Sequence, residues 1–211
     1  YLTEALVNFV ALLGWSPSDG QEIKTVDEIA EDFRIGEISS SNSIFEYDKL
    51  KWMNSHYIKM LPMEELKERL KPYLSQYNLD ELTDAQYTKM VEITREPLTL
   101  LSDITDAVPY FFGEDVVMED KAKETLDTEV SQDVLKTFME QAKDWEWTEE
   151  NLHEKLEAFR AYYKEKGVKP KVTMWAIRAA VTGRTCGADM VATLAIIGKD
   201  NSIKRAKAAI L

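Results

Sequence analysis

The chain has 211 residues, 45% of them hydrophobic and 30% charged, with five Trp, nine Tyr and seven Phe, which is enough apolar material for a sizeable core and excludes wholesale disorder. Eight Gly and six Pro argue against a turn-rich β-sandwich, so an all-α fold is expected, as two modest domains or one elongated one. A formal charge of −12 at pH 7 counts, for the chain taken whole, against a polyanionic partner.

Leu2, Ala5, Leu6, Phe9, Val10, Leu12 and Leu13 recur at helical spacing and predict a first helix over about 2–13, with Gly14 suited to a left-handed stop. Thr25 followed by Glu28 is a capping box opening a helix through Phe33, and Ser39 to Ser43 is a polar connecting loop. From about Asp48 the run KLKWMNSHYIKML is helical, with Leu50, Met53, Tyr57 and Leu61 on one face, and Pro62 marks a boundary. Beyond it MEELKERLKPYL, a segment opened by Thr83 or Asp84 and one after Pro97 read as three helices, Pro72 ending or kinking the first. Gly113 to Val117 reads as a loop, Met118 to Leu126 and Gln132 to Lys143 as helices, and Thr148 as the cap of a helix ending at Gly167. Helices over about 170–181, 189–197 and 201–210 follow, with Gly198 as a stop and Asp200 as an N-cap.

No catalytic group stands out. Cys186 is the one cysteine, and His56 and His153 lie far apart in sequence, so neither a zinc ligand set nor a nucleophile with a paired base is legible, and no metal is expected. No GxxxxGK[ST] or GxGxxG occurs, and the pairs Asp27-Glu28, Glu64-Glu65 and Glu149-Glu150 sit in first turns of helices, where they complement the helix dipole. The longest apolar run, near Val191 to Ile197, is too short to span a membrane, which together with the cysteine usage reads as a soluble, intracellular protein. The start at Tyr1-Leu2-Thr3, already in the pattern of a packed helix, reads as part of a longer chain.

The charge is unevenly spread. From Lys164 to Leu211 there are ten basic residues against three acidic, a local net of +7, so the preceding residues carry −19. Such a split suits a C-terminal quarter that meets phosphate beside an acidic body that discourages random binding. Within that quarter, Trp175 to Asp200 reads as a helix bearing Arg178 that ends in Thr182-Gly183, a short loop with Arg184, Thr185 and Gly187, then a second helix opening near Ala188 or Asp189. A guanidinium, hydroxyls, two glycines that permit close backbone approach and the apolar Met190 suit unstacked RNA bases. An ordinary helix hairpin has the same pattern.

At this segment the sequence resembles the bacterial glutamyl-tRNA synthetases, whose chains end in R-A-A-(L/V)-T-G, a short loop, an apolar helix and (L/I)-G-K, here Arg178 to Gly183 and Ile197-Gly198-Lys199. A second stretch agrees: ALVNFVALLGWSP at 5–17, then Phe33, the serine loop, Phe45 and KLKWMNSHYIK at 49–59, is similar to the family's segment after its catalytic domain. The resemblance implies an all-α C-terminal half, with a stem-contact segment at about 1–61 and two anticodon-binding helical-bundle subdomains near 62–119 and 120–211. It also implies that the ATP-, magnesium- and glutamate-binding fold of a class I ligase precedes Tyr1, so that this chain holds no cofactor and does not aminoacylate alone.

The resemblance further implies that Arg178 faces the anticodon loop and that Gly187, Ala188 and Met190 meet the middle base, with Thr182 and Arg184 in the same hairpin and Lys49 and Lys51 against the tRNA stem. The family often has proline where Ala188 stands and leucine where Met190 stands. Relatives restricted to glutamate tRNA often carry an arginine where REPLTLLSDI places Pro97, with Arg95 two positions earlier, which leaves open whether glutamine tRNA is also accepted. The implied enzyme is a cytoplasmic monomer that binds tRNA and no membrane. The rival from composition alone is an acidic helical module that binds a partner helix.

Overall fold

Apolar residues at helical spacing, separated by capping side chains, give a chain that is helical wherever it folds regularly. The computed structural model describes residues 1–39 and 44–210, with no strand among them. Contacts divide the chain into two units, Tyr1–Ser75 with Arg95–Thr105, and Gln76–Thr94 with Asp106–Leu211.

Unit 1 contains α1 (Thr3–Gly14), α2 (Val26–Asp32), α3 (Tyr47–Met60) and α4 (Met63–Leu70). Phe9 of α1 and Leu50 and Met53 of α3 form a buried cluster, against which Leu12, Leu13 and Ile23 pack. Polar side chains inside it tie the helices together. Asn8 Oδ1 accepts from the Lys24 backbone N–H at 3.0 Å and the Tyr57 hydroxyl at 2.7 Å, while the Asn54 side chain accepts from Leu2 N–H at 2.7 Å and donates to the Thr99 carbonyl at 2.6 Å. The Thr25–Glu28 capping box is present in both directions. Most of the serine loop, residues 40–43, lies outside the described residues.

Two local expectations in this unit change. Gly14 is the last helical residue and not a left-handed stop, because Trp15, 3% exposed, leaves in an extended conformation while its N–H still donates to Ala11. The face of α3 that is buried carries Leu50, Met53, Asn54, Tyr57 and Ile58, whereas Leu61 is the residue that ends the helix. The expected break at Pro72 is present, since α4 ends at Leu70 and the chain tightens into a 3-10 turn over Lys71–Leu74.

Unit 2 opens on a 3-10 turn at Leu79–Glu81, followed by α5 (Asp84–Thr94), where Thr83 and Gln86 exchange capping bonds. The stretch after Pro97, which crosses from unit 1 into unit 2, is not one helix. It is a 3-10 turn at Leu101–Asp103, α6 (Ile104–Ala107) and a 3-10 turn at Pro109–Phe111. The Asp103 carboxylate draws the turn tight by accepting from Thr99 and Leu100 N–H, and Pro109 cannot continue the ladder. Then come α7 (Asp120–Leu126), α8 (Glu129–Ala142), α9 (Glu149–Glu165), α10 (Pro170–Thr182), α11 (Met190–Ile197) and α12 (Lys199–Ala208). α12 begins one residue ahead of Asp200, and Gly198 at φ 80° both ends α11 and precedes α12.

α10 is the hub, packed on α7, α8, α9 and α12 through Ala176, Ile177, Ala179, Ala180 and Val181, all fully buried. Its alanines allow the neighbouring helices to approach closely. Arg205 of α12, 3% exposed, reaches into this packing and donates to four carbonyls, those of Tyr110 (2.8 Å), Val181 (2.8 Å), Gly113 (2.7 Å) and Glu114 (3.2 Å). A residue that counts in sequence toward a basic surface is therefore interior. We expect Arg205→Met to lower stability by about 3 kcal/mol or more, because it strands buried carbonyls whose donor cannot be replaced. Lys207→Ala, on the same helix and exposed, should stay within about 0.5 kcal/mol of wild type in the same urea titration.

Candidate nucleic-acid interface

The α10–α11 hairpin is built by its glycines and hydroxyls. Gly183 ends α10 at φ 74°, and a Cβ placed there would lie 2.1 Å from the Val117 carbonyl oxygen, so no other residue lets the 117–119 segment pass. That segment is then tied down by Glu119 N–H donating to the Gly183 carbonyl at 2.9 Å. The Thr182 hydroxyl donates to the Arg178 carbonyl at 2.8 Å and accepts from Arg184 N–H at 3.3 Å. Arg184 in turn donates to the Asp106 carbonyl at 2.6 Å and pairs with Glu119 at 3.0 Å. Asp189 caps α11 by accepting from Ala192 N–H at 2.9 Å.

Between this hairpin, α9 and the exposed side of α10 lies an open cleft of about 920 Å³. Arg178, Gly187, Ala188 and Met190 line it together. Arg178 Nη1 is buried and has no hydrogen-bond partner among the described residues, and it lies 3.3 Å from where a Cβ on Gly187 would stand, so the glycine lets the loop cross the guanidinium. Burial holds the Arg178 pKa below its ordinary value, with the nearby Tyr110 and Asp189 acting the other way. A desolvated guanidinium nitrogen without an acceptor gains more from an incoming oxygen or ring nitrogen than an exposed one does. The Tyr110 phenol beside it is pushed up by burial, an effect opposed by the Arg178 and Arg184 cations.

The rest of the cleft combines basic side chains and the Trp175 indole with apolar groups such as Leu156, Met174 and Val191. Lys171 Nζ lies 4.3 Å from the centre of the Trp175 ring, a cation–π distance, and His153 and Arg160 of α9 line the opposite wall. Its two carboxylates are engaged, Glu157 with Arg160 and Asp189 in its cap.

Four of the residues expected to read bases thus share one cleft. Thr182 and Arg184 do not, for they line a separate cleft of about 220 Å³ with Pro109, Val116 and Glu119, and the Thr182 hydroxyl is held within its own helix end. Arg95 and Pro97 belong to unit 1. Arg95 donates there to the carbonyls of Ile58 (3.0 Å), Leu61 (2.9 Å) and Lys59, closing the last turn of α3, while Pro97 is exposed. Lys49 pairs with Glu22 at 2.6 Å, and Lys51 is exposed. Sequence reasoning missed Lys171 and Trp175 as cleft residues. Their signal was spacing, since positions 171, 175 and 178 fall on one helical face, as do 153, 157 and 160. Cys186 is exposed in the hairpin, and no group of three or more His, Cys, Asp or Glu residues able to hold a metal occurs among the described residues. No helix among them is long and apolar enough to cross a membrane.

A family model described as an anticodon binding domain matches residues 65–210. Along nearly its whole length the chain is similar to glutamate–tRNA ligases, 36% identical to one from Caldicellulosiruptor saccharolyticus (97% of this chain, 43% of that protein) and 32% to one from Bacillus subtilis (98% and 44%). A crystal structure of a glutamate–tRNA ligase from Elizabethkingia meningosepticum superposes with a TM-score of 0.88 at 27% identity, covering all of this chain and 41% of that one. The chain therefore spans about two-fifths of the length of these relatives, and the part it matches is their C-terminal part. The family matched is an anticodon-binding one.

Gly183→Ala should cost unit 2 markedly more than Gly167→Ala. Both residues have positive φ, but nothing lies within 4 Å of a Cβ at Gly167. The backbone strain alone is about 1–3 kcal/mol in either variant. Gly183→Ala must also displace the Val117 backbone, and a lower midpoint in thermal melts of Gly183→Ala than of Gly167→Ala is the expected reading.

Proposed function

Because the chain belongs to the anticodon-binding domain family, with glutamate–tRNA ligases as its relatives, we propose that it recognises the anticodon arm of the tRNA that such a ligase charges. The observation that carries this reading is the cleft of unit 2, where Arg178, with a buried and unpartnered nitrogen, lies beneath Gly187 beside Ala188 and Met190. A flipped-out base would find there a charged donor, backbone groups of the 187–189 loop and an apolar contact, which is how single-stranded bases are read by edge and face. The segment at about 1–61, with Lys49 and Lys51, would meet the tRNA stem, and the segments near 62–119 and 120–211 the anticodon. Thr182 and Arg184 act on this reading by holding the hairpin in shape.

The whole enzyme would be a cytoplasmic, monomeric class I ligase that joins glutamate to tRNA with ATP and magnesium, and those ligands would be held by the part of such a ligase ahead of Tyr1. On its own the present chain would form no glutamyl adenylate.

Selectivity follows from unit 1. The Arg95 guanidinium is committed to the α3 carbonyls, and Pro97 has no side-chain donor with which to read a base edge. We expect glutamine tRNA to bind within about tenfold, or about 1.4 kcal/mol, of glutamate tRNA. Arg95→Ala should lower stability and leave that ratio unchanged. A hundredfold preference for glutamate tRNA that Arg95→Ala abolishes would contradict this.

Arg178→Ala tests the central cleft. It should weaken tRNA binding by about 1–3 kcal/mol in a filter-binding titration, the size expected for loss of a charged donor to a base or phosphate. Unchanged affinity with an unchanged helical circular-dichroism spectrum would remove Arg178 from the interface.

A further inference from the structure

The ten basic residues of the C-terminal quarter do not form one surface. Arg205 is buried on backbone carbonyls, Arg184 is tied to Glu119 and Asp106, Lys199 donates to the Lys143 carbonyl, and Lys204 pairs with Glu114. Four others, Lys164, Lys166, Lys169 and Lys171, are exposed within eight residues at the turn from α9 to α10, with no carboxylate partner among the described residues. Glu165 is the one acidic residue in that run.

The turn is electrostatically unusual for the protein itself. The other helices of unit 2 with eight or more residues open on a carboxylate, as cap or in the first turn: Asp84, Glu129, Glu149, Asp189 and Asp200. α10 has none, and places Lys169 and Lys171 at the end of the helix where the dipole already presents positive charge. Among the described residues no carboxylate pairs with either lysine, and the face of Trp175 is what Lys171 rests on. Lys169 and Lys171 also line the same cleft as Arg178.

We propose that the α9–α10 turn is a phosphate rail, on which Lys169 and Lys171, with Lys166 at its outer end, hold the sugar–phosphate backbone of the RNA strand whose bases enter the cleft at Arg178. This rests on the tRNA reading above. The rail supplies affinity and register without discriminating bases, whereas the hairpin reads them.

The test is the salt dependence of tRNA binding by the protein. The double variant Lys169→Ala/Lys171→Ala should make the log–log slope against salt shallower by about 1.4–1.8, at 0.7–0.9 per phosphate released, and weaken cognate and non-cognate tRNA alike, by about tenfold at physiological salt. Lys169→Arg/Lys171→Arg should restore the slope, and Lys204→Ala, whose partner is Glu114, should not change it. An unchanged slope in the double alanine variant, with wild-type protein binding tRNA, overturns the rail alone. Failure of the wild-type protein to bind any tRNA overturns the underlying reading and the rail with it.

Discussion

The geometry of the candidate interface depends on one buried cation. Arg205 gathers the carbonyls of Tyr110, Gly113, Glu114 and Val181, so that α12, the end of α10 and the segment after the 3-10 turn at Pro109–Phe111 meet at a single guanidinium. A charge taken out of water is tolerated only when its donors are met, and the arginine fork meets carbonyls that would otherwise be orphans of helix ends and turns. Two residues beyond Val181, Gly183 gives up its side chain so that Val117 can pass, and the hairpin starts from a point held on both sides. Arg178 and the 187–189 loop are thereby set in register, with Met190 buried at the start of α11 beside them. The Arg178 guanidinium can remain incompletely bonded because the elements around it are held elsewhere.

The same division runs through the charges. A chain of net −12 is a poor general binder of nucleic acid, which favours contact only where cations are grouped and unpaired. In the C-terminal quarter some cations build the fold and others remain at the surface, and counting residues does not tell them apart. Arg205 and Lys171 carry the same formal charge, yet one joins backbone segments and the other covers the face of Trp175 at the rim of the cleft.

Much of the helical plan is legible in the residues because capping is local chemistry. Thr25, Thr83 and Thr148 each accept a backbone bond at the start of a helix, and Gly183 and Gly198 stop helices at positive φ. Legibility fails where a distant contact decides. Trp15 leaves α1 because it is buried, and α12 opens at Lys199 because Gly198 serves both helices. In the candidate site, Arg178 and the 187–190 loop could be named from their order along the chain, but Thr182 and Arg184 turn toward a different cleft, and Lys171 and Trp175 join only once α9 and α10 are side by side. Arg95 shows the same limit, since a basic residue near a suspected base-reading position is committed to helix carbonyls that the local sequence does not reveal.

The central claim is that unit 2 reads the anticodon arm through the cleft around Arg178. Titrating an isolated anticodon stem-loop of glutamate tRNA into isotope-labelled protein and following backbone amide shifts tests it most directly. Shifts concentrated at Arg178, Gly187, Ala188 and Met190, with competition against full-length tRNA, are the result expected. A stem-loop that competes with tRNA while leaving those amides unmoved, or an acceptor-stem hairpin that moves them equally, would contradict the account.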